Sequence, residues 1–240
     1  MRRIHFALLL ILVSILLTGC LYPNDKNVIR IPDEQQIQDV QNAINAYRKD
    51  HDGLLPIKNK DDETDYFIKY LIDFKRLVPL YLSKIPDNAF ENGGVFQYVI
   101  LHPDINPTVK VFDLRIAEKI REIKFRLSTK EYPPFKDVIG KNAFTLEYGK
   151  LGYKEEPIIV SPFTGENLSF FITGQGDVYV DYSLDIEIYR EKVDYQKFQD
   201  GSDIRFILAE NSIFVPAYSL PYTINKSGEL VFMEKNKNLE

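Results

Sequence analysis

The chain has 240 residues, 30 basic against 35 acidic, a formal net charge of −5, 45% hydrophobic residues and one cysteine. That acidic balance speaks against nucleic acid as a partner, and a lone cysteine excludes an internal disulfide framework. Sixteen Phe and fifteen Tyr within the apolar fraction predict a folded core rather than a disordered tail.

Arg2 and Arg3 open the chain, and an apolar run from Phe6 to Leu17 follows, broken only by Ser14. This is the charged start and short apolar stretch of a secretory signal, too short for a comfortable membrane span. The run ends in Leu17-Thr18-Gly19-Cys20, which resembles the lipobox of bacterial lipoproteins. The resemblance implies that the Cys20 thiol receives a diacylglyceryl group and that a peptidase cuts between Gly19 and Cys20. The alternative is an uncleaved anchor helix with a chance cysteine at its end. Lipidation accounts for the one cysteine, since an idle thiol outside the cell is a liability. Each buried methylene contributes about 0.8 kcal/mol, so two or more acyl chains hold where one does not. Loss of residues 1–19 takes Arg2 and Arg3 with it, moving the charge balance from −5 to −7. So acidic a body speaks against flat docking on anionic lipid. The residue after Cys20 is Leu21, not aspartate, so nothing signals inner-membrane retention in a two-membrane cell. An acidic body without disulfides resembles Gram-positive envelope lipoproteins, which implies the outer face of the plasma membrane.

Residues 20–32 read as the lipidated cysteine and a polar tether. Asp33 is placed to cap a helix, with Gln36 at the capping-box position. Ile37, Val40, Ile44 and Tyr47 then recur at helical spacing, and Asp52-Gly53 stops the run. Thr64 is placed to cap a second helix through about Arg76, with Ile68, Leu71, Ile72 and Lys75 in register. Val95–Leu101 and Val109–Phe112 read as paired strands. A third helix is predicted from Leu114 to about Leu127, striped by Ile116, Ile120, Ile123 and Leu127. Strands follow at Ala143–Tyr148, Leu168–Thr173 and Val178–Tyr182, the last two flanking a turn at Gly174-Gln175-Gly176-Asp177. Residues 184–198 are read as helix, and Leu230–Met233 as a strand after the turn at Ser227-Gly228. The fold class is therefore α+β, with amphipathic helices packed on short antiparallel strands and hairpins. The units run from 33 to 112 and from 113 to 240, the second divisible near 183.

Two strings match across the chain: Pro157 to Thr164 and Pro216 to Thr223 both read P-x4-P-aromatic-T. An earlier stretch, Leu77 to Pro86, also precedes a strand, and a predicted helix lies upstream of each. The chain reads either as two or three repeated helix–strand units or as prolines and aromatics recurring at loop–strand junctions. Ala46-Tyr47, Asp50, Asp52-Gly53, Leu55-Pro56, Val78-Pro79, Tyr81-Leu82 and Ile85-Pro86 resemble the post-helix region of pseudopilins. That resemblance implies a helix running into a loop and a small antiparallel sheet. The pseudopilin signal itself is replaced by the lipobox, so filament assembly is not implied.

Chemistry-bearing residues are few. His51 and His102 are the only histidines past the signal, and neither has metal-ligand spacing or a G-x-S-x-G partner motif. Asp61, Asp62, Glu63 and Asp65 lack the alternation and glycine of a calcium loop. Asp181, Asp185 and Glu187 offer carboxylates for glycoside chemistry, a signal common on any acidic surface. Gly174 and Gly176 mark a hairpin rather than a phosphate cradle. Absence of tryptophan weakens carbohydrate stacking, although tyrosine can serve. No cofactor, metal site or catalytic residue is assigned. The expectation is a membrane-anchored, non-enzymatic binding or scaffold protein with an envelope protein or small ligand as partner. The alternative is the solute-binding lipoprotein of a transporter, although the regular β-α-β alternation usual in that family is not evident.

Overall fold

A computed structural model of the chain describes residues 31–58, 61–193 and 201–233. Gly19, Cys20, the tether up to Arg30 and residues 194–198 of the helix predicted after Leu184 lie outside them. Asp33 nucleates helix α1 (Glu34–Asp50) by the capping box read from its sequence. Its carboxylate accepts from the Gln36 N–H at 2.7 Å, and the Gln36 side chain accepts from the Asp33 N–H at 3.4 Å. The helix buries Val40, Ala43, Ile44 and Tyr47. It ends where Gly53, at φ 86°, returns its N–H to the Arg48 carbonyl at 2.9 Å.

The chain then lays down β1 (Ile57–Lys58), β2 (Leu71–Ile72), β3 (Phe96–Leu101) and β4 (Thr108–Asp113) as an antiparallel sheet in sequential order. All six residues of β3 are buried, the polar Gln97 among them, where its side chain donates to Glu91 at 3.0 Å. Helix α1 packs on β4, and Gln41 pins the two together by accepting from the Val109 N–H at 2.8 Å and donating to the Pro107 carbonyl at 3.0 Å.

The helix predicted from Thr64 to Arg76 does not form. Two 3-10 turns, Tyr66–Ile68 and Phe74–Arg76, flank strand β2 instead, and the first is capped by Asp65 rather than Thr64. Aromatic and β-branched residues crowd this stretch and disfavour helix, while Asp65 and Asp73 bond the N–H groups two residues on. Pairing of Leu71 with Lys58 and Val99 then secures the extended form.

The second half repeats the plan of the first. Asp113 closes β4 and caps helix α2 (Leu114–Ser128) through the Arg115 N–H at 2.9 Å. Then come β5 (Phe135–Gly140), β6 (Ala143–Leu146), the separate hairpin β7 (Ile159–Val160) and β8 (Asn167–Leu168), β9 (Phe170–Thr173) and β10 (Val178–Val180). The second four-stranded antiparallel sheet runs β10-β9-β6-β5. In each half an Asp-capped helix precedes four meandering strands and packs on the last of them, α1 on β4 and α2 on β10. The matching P-x4-P-aromatic-T strings do not mark this likeness. Strand β7 precedes Pro162 in one string, whereas in the other Tyr218 sits at φ 61° and a strand begins only at Tyr222.

Helices α3 (Ser183–Lys192) and α4 (Phe206–Glu210) and the hairpin of β11 (Tyr222–Ile224) with β12 (Leu230–Phe232) complete the chain. Under the second sheet, Ile116 and Ile123 of α2 meet Phe170, Ile172, Val178 and Val180. Under the first, Ile44 meets Phe74, Tyr98, Ile100 and Val111, and Phe214 from the C-terminal segment joins them. Residues 213–215 run beside β4, with the Val111 N–H on the Ile213 carbonyl at 3.0 Å and the Val215 N–H on the Val111 carbonyl at 2.9 Å.

Candidate functional site

The residues singled out for chemistry are dispersed among different partners. His51 ends α1 with its ring stacked on Tyr47, centroids 3.9 Å apart, and Nδ1 2.9 Å from the Tyr47 carbonyl. His102 follows β3 at φ 52°, its ring stacked on Phe206 and its N–H donating to the Tyr66 hydroxyl at 2.9 Å. Asp62 pairs with Lys69 at 2.9 Å, and Asp65 turns inward to Arg205. Among the described residues no three His, Cys, Asp or Glu side chains come together in a metal-holding group.

The three candidate carboxylates have three separate engagements. Asp181 accepts from the Tyr222 hydroxyl and from the Ser183 N–H, each at 2.8 Å. Glu187 pairs with Arg190 at 2.8 Å on the surface. Asp185 is fully buried, where it accepts from the Ser161 hydroxyl at 2.7 Å and from the Thr164 hydroxyl. The Ser161 oxygen in turn receives the Phe163 N–H at 3.0 Å, so Asp185 ties the Pro162 turn to α3. An acid so enclosed has no access to a glycosidic oxygen. Burial raises its pKa, the two hydroxyls pull it down, and the nearby charges of Glu166 and Asp181 push it up, leaving a net rise. A raised carboxyl pKa contributes stability that is complete below the ordinary carboxyl value and is lost as pH climbs through the folded value. Asp185→Asn is therefore expected to flatten the fall in stability between acidic and neutral pH, as read by urea unfolding across that range. An unchanged slope would place the pH dependence elsewhere.

Arg205 went unremarked in the sequence because nothing in its spacing marks it. Its side chain is nearly fully buried, pairing with Asp203 at 2.7 Å and Asp65 at 3.0 Å. It also donates to the Ser219 carbonyl at 2.9 Å and lies over the Phe67 ring. The cluster clamps the C-terminal segment to the turn between β1 and β2.

The feature best suited to meeting another molecule is a sheet edge. Three of the four edges of the two large sheets are short or covered. Strand β1 has two residues, β4 is flanked by residues 213–215, and the Val180 N–H of β10 is taken by the Tyr218 carbonyl at 3.0 Å. Strand β5 is six residues long, pairs with β6 on one side and has no strand on the other among the described residues. It is also the most exposed strand, with Phe135 44%, Val138 73% and Ile139 38% accessible. An open edge offers N–H and C=O groups to any extended segment, and proteins ordinarily shield such edges. On β5 the Phe135 N–H already bonds the Pro133 carbonyl and the Asp137 N–H the Thr145 hydroxyl, each at 2.9 Å.

A bulge shapes the exposed face. Phe135 opposes Leu146 and Val138 opposes Phe144, so three steps along β5 match two along β6. Phe135 and Val138 therefore share one face instead of alternating. It is the face of Leu146 and Phe144, and so of the core beneath α2. Helix α2 covers that face over β10, at the far edge of the sheet. The Phe135 ring leans on Phe144, centroids 4.9 Å apart, and Lys136 and Asp137 pair at 3.5 Å between the two apolar residues.

Residues 33–113, the span of α1 and the first sheet, match the model of the YphF family N-terminal domain. Comparison of the chain with curated proteins and with solved structures returns no match.

Proposed function

We propose that this chain is a lipid-anchored extracytoplasmic protein that binds or scaffolds a partner at the outer face of the plasma membrane. Docking is by strand addition at β5. The address rests on the Leu17-Thr18-Gly19-Cys20 motif that ends the apolar run. Anchoring does not require a spanning segment, and among the described residues no helix is long and apolar enough to cross a membrane. The observation that carries the binding reading is β5, a long, apolar and exposed strand edge. Strand addition draws affinity from main-chain hydrogen bonds and specificity from alternate side chains, and Phe135 and Val138 supply the apolar contacts for it.

Replacing Cys20 with Ala is expected to move the chain from the membrane fraction to the soluble fraction and to remove the mass of the lipid. In the anchored parent, the amides of residues 135–140 are expected to exchange more slowly than in the released, diluted Cys20→Ala chain. Retention of the variant in membranes would sink the anchoring half. Equal exchange in the two forms would sink the docking half.

A further inference from the structure

Resting on that reading of β5, we infer that the strand it docks is β5 of a second copy of this chain, paired antiparallel about a two-fold axis between Lys136 and Asp137. The bulge is what makes the strand complementary to itself. Opposed residues in an antiparallel pair lie on the same face of the sheet. A two-fold between Lys136 and Asp137 sets Phe135 opposite Val138 of the second copy and Val138 opposite its Phe135. In a regular strand those two positions point to opposite faces, and the pairing would fail. Here both are on the helix side, because β5 advances three residues while β6 advances two.

The same axis sets each Lys136 opposite the other copy's Asp137, exchanging two exposed ion pairs within strands, one in each copy, for two across strands. The strand is charge-neutral, so two copies meet there without the repulsion that the acidic chain as a whole carries. The product is one continuous eight-stranded antiparallel sheet with both α2 helices on one side. Phe135 and Val138 of each copy then stand side by side along the seam and exclude water only where they touch one another. The contact is isologous and closes on itself, so it forms a dimer and not a fibre. Four paired residues make a small interface, which suits chains already concentrated in the plane of one membrane.

The experiment uses the anchored full chain, whose Cys20 thiol is occupied by lipid, leaving an introduced cysteine as the reactive one. Two differently tagged forms, Phe135→Cys and Val138→Cys, are produced together and separately in membranes and treated with a mild oxidant. The pairing brings position 135 of one copy within about 4.5–5.5 Å of position 138 of the other, Cα to Cα, inside disulfide range. Two copies of position 138 remain roughly 10 Å apart along the strand. A mixed disulfide dimer when the forms are together, and none from either alone, is the expected result. Equal cross-linking of each form with itself means random collision and overturns the inference. Absence of a mixed dimer also overturns it. If the amides of 135–140 remain protected in that case, a different strand occupies the edge and the docking reading stands. If they exchange as in the released chain, both fall.

Discussion

Arg205→Ala is expected to lower the unfolding free energy by about 3–5 kcal/mol, the range for removing one partner of a buried ion pair. For a body of this size that is a fall in Tm on the order of 10 °C. The reason lies in what is left behind. Asp65 and Asp203 now face one guanidinium at 3.0 and 2.7 Å, and without it two carboxylates share a largely enclosed space. The Ser219 carbonyl loses its donor in the same step. Both carboxylates keep some contact with water, which screens their repulsion and draws the effect toward the lower figure. Asp65→Asn in an Arg205→Ala background should recover part of the loss, because it removes one of the stranded charges. Thermal unfolding of the two variants beside the parent measures this, and a change under about 1 kcal/mol in Arg205→Ala would show that the clamp contributes no more than a surface pair.

Gly94→Ala is expected to cost more than its neighbour Gly93→Ala, although Gly93 is the one in the left-handed region. Gly93 is at φ 82°, with open space where a Cβ would stand. Alanine there carries only the left-handed backbone penalty, about 1–2 kcal/mol. At Gly94 a Cβ would lie 2.0 Å from the Asn88 carbonyl oxygen, so the backbone itself has to move. Asn88 cannot yield freely. Its carbonyl accepts from the Phe96 N–H at 3.1 Å, and its side chain donates to Gln36 at 2.7 Å and accepts from the buried Tyr98 hydroxyl at 2.9 Å. Through those bonds it joins the start of α1 to β3. A loss of about 3 kcal/mol or more is expected for Gly94→Ala, the scale of a steric insertion into a packed region. Equal melting temperatures for the two variants would count against this account of the turn.

Helices α1 and α2 and strands β3, β4, β9 and β10 were legible because each is specified by nearby residues. The Asp33–Gln36 capping box, the α1 stripe and its glycine stop, the isoleucine stripe of α2 and the Gly176 hairpin all act within a few residues. The Thr64–Arg76 stretch was misread because its helical spacing is overruled by distant partners, Lys58 and Val99, that periodicity does not register. Strand β5 was missed for a related reason. Its apolar residues do not alternate, because a bulge sets Phe135 and Val138 on one face. His102, Asp65, Asp181 and Asp185 were all noticed as residue types, but nothing local foretold that each would be occupied by a different partner.

By itself, then, the sequence determined the α+β class and those elements that a cap, an apolar stripe or a glycine turn marks locally. It also supplied the motif on which the proposed address rests. Tertiary structure alone decided that the two halves share one plan, that Arg205 is a clamp and that β5 is the edge left open. Each of those depends on which strands meet across long separations. Side-chain pairing over such distances is set by packing, and a string of residues carries no local record of it.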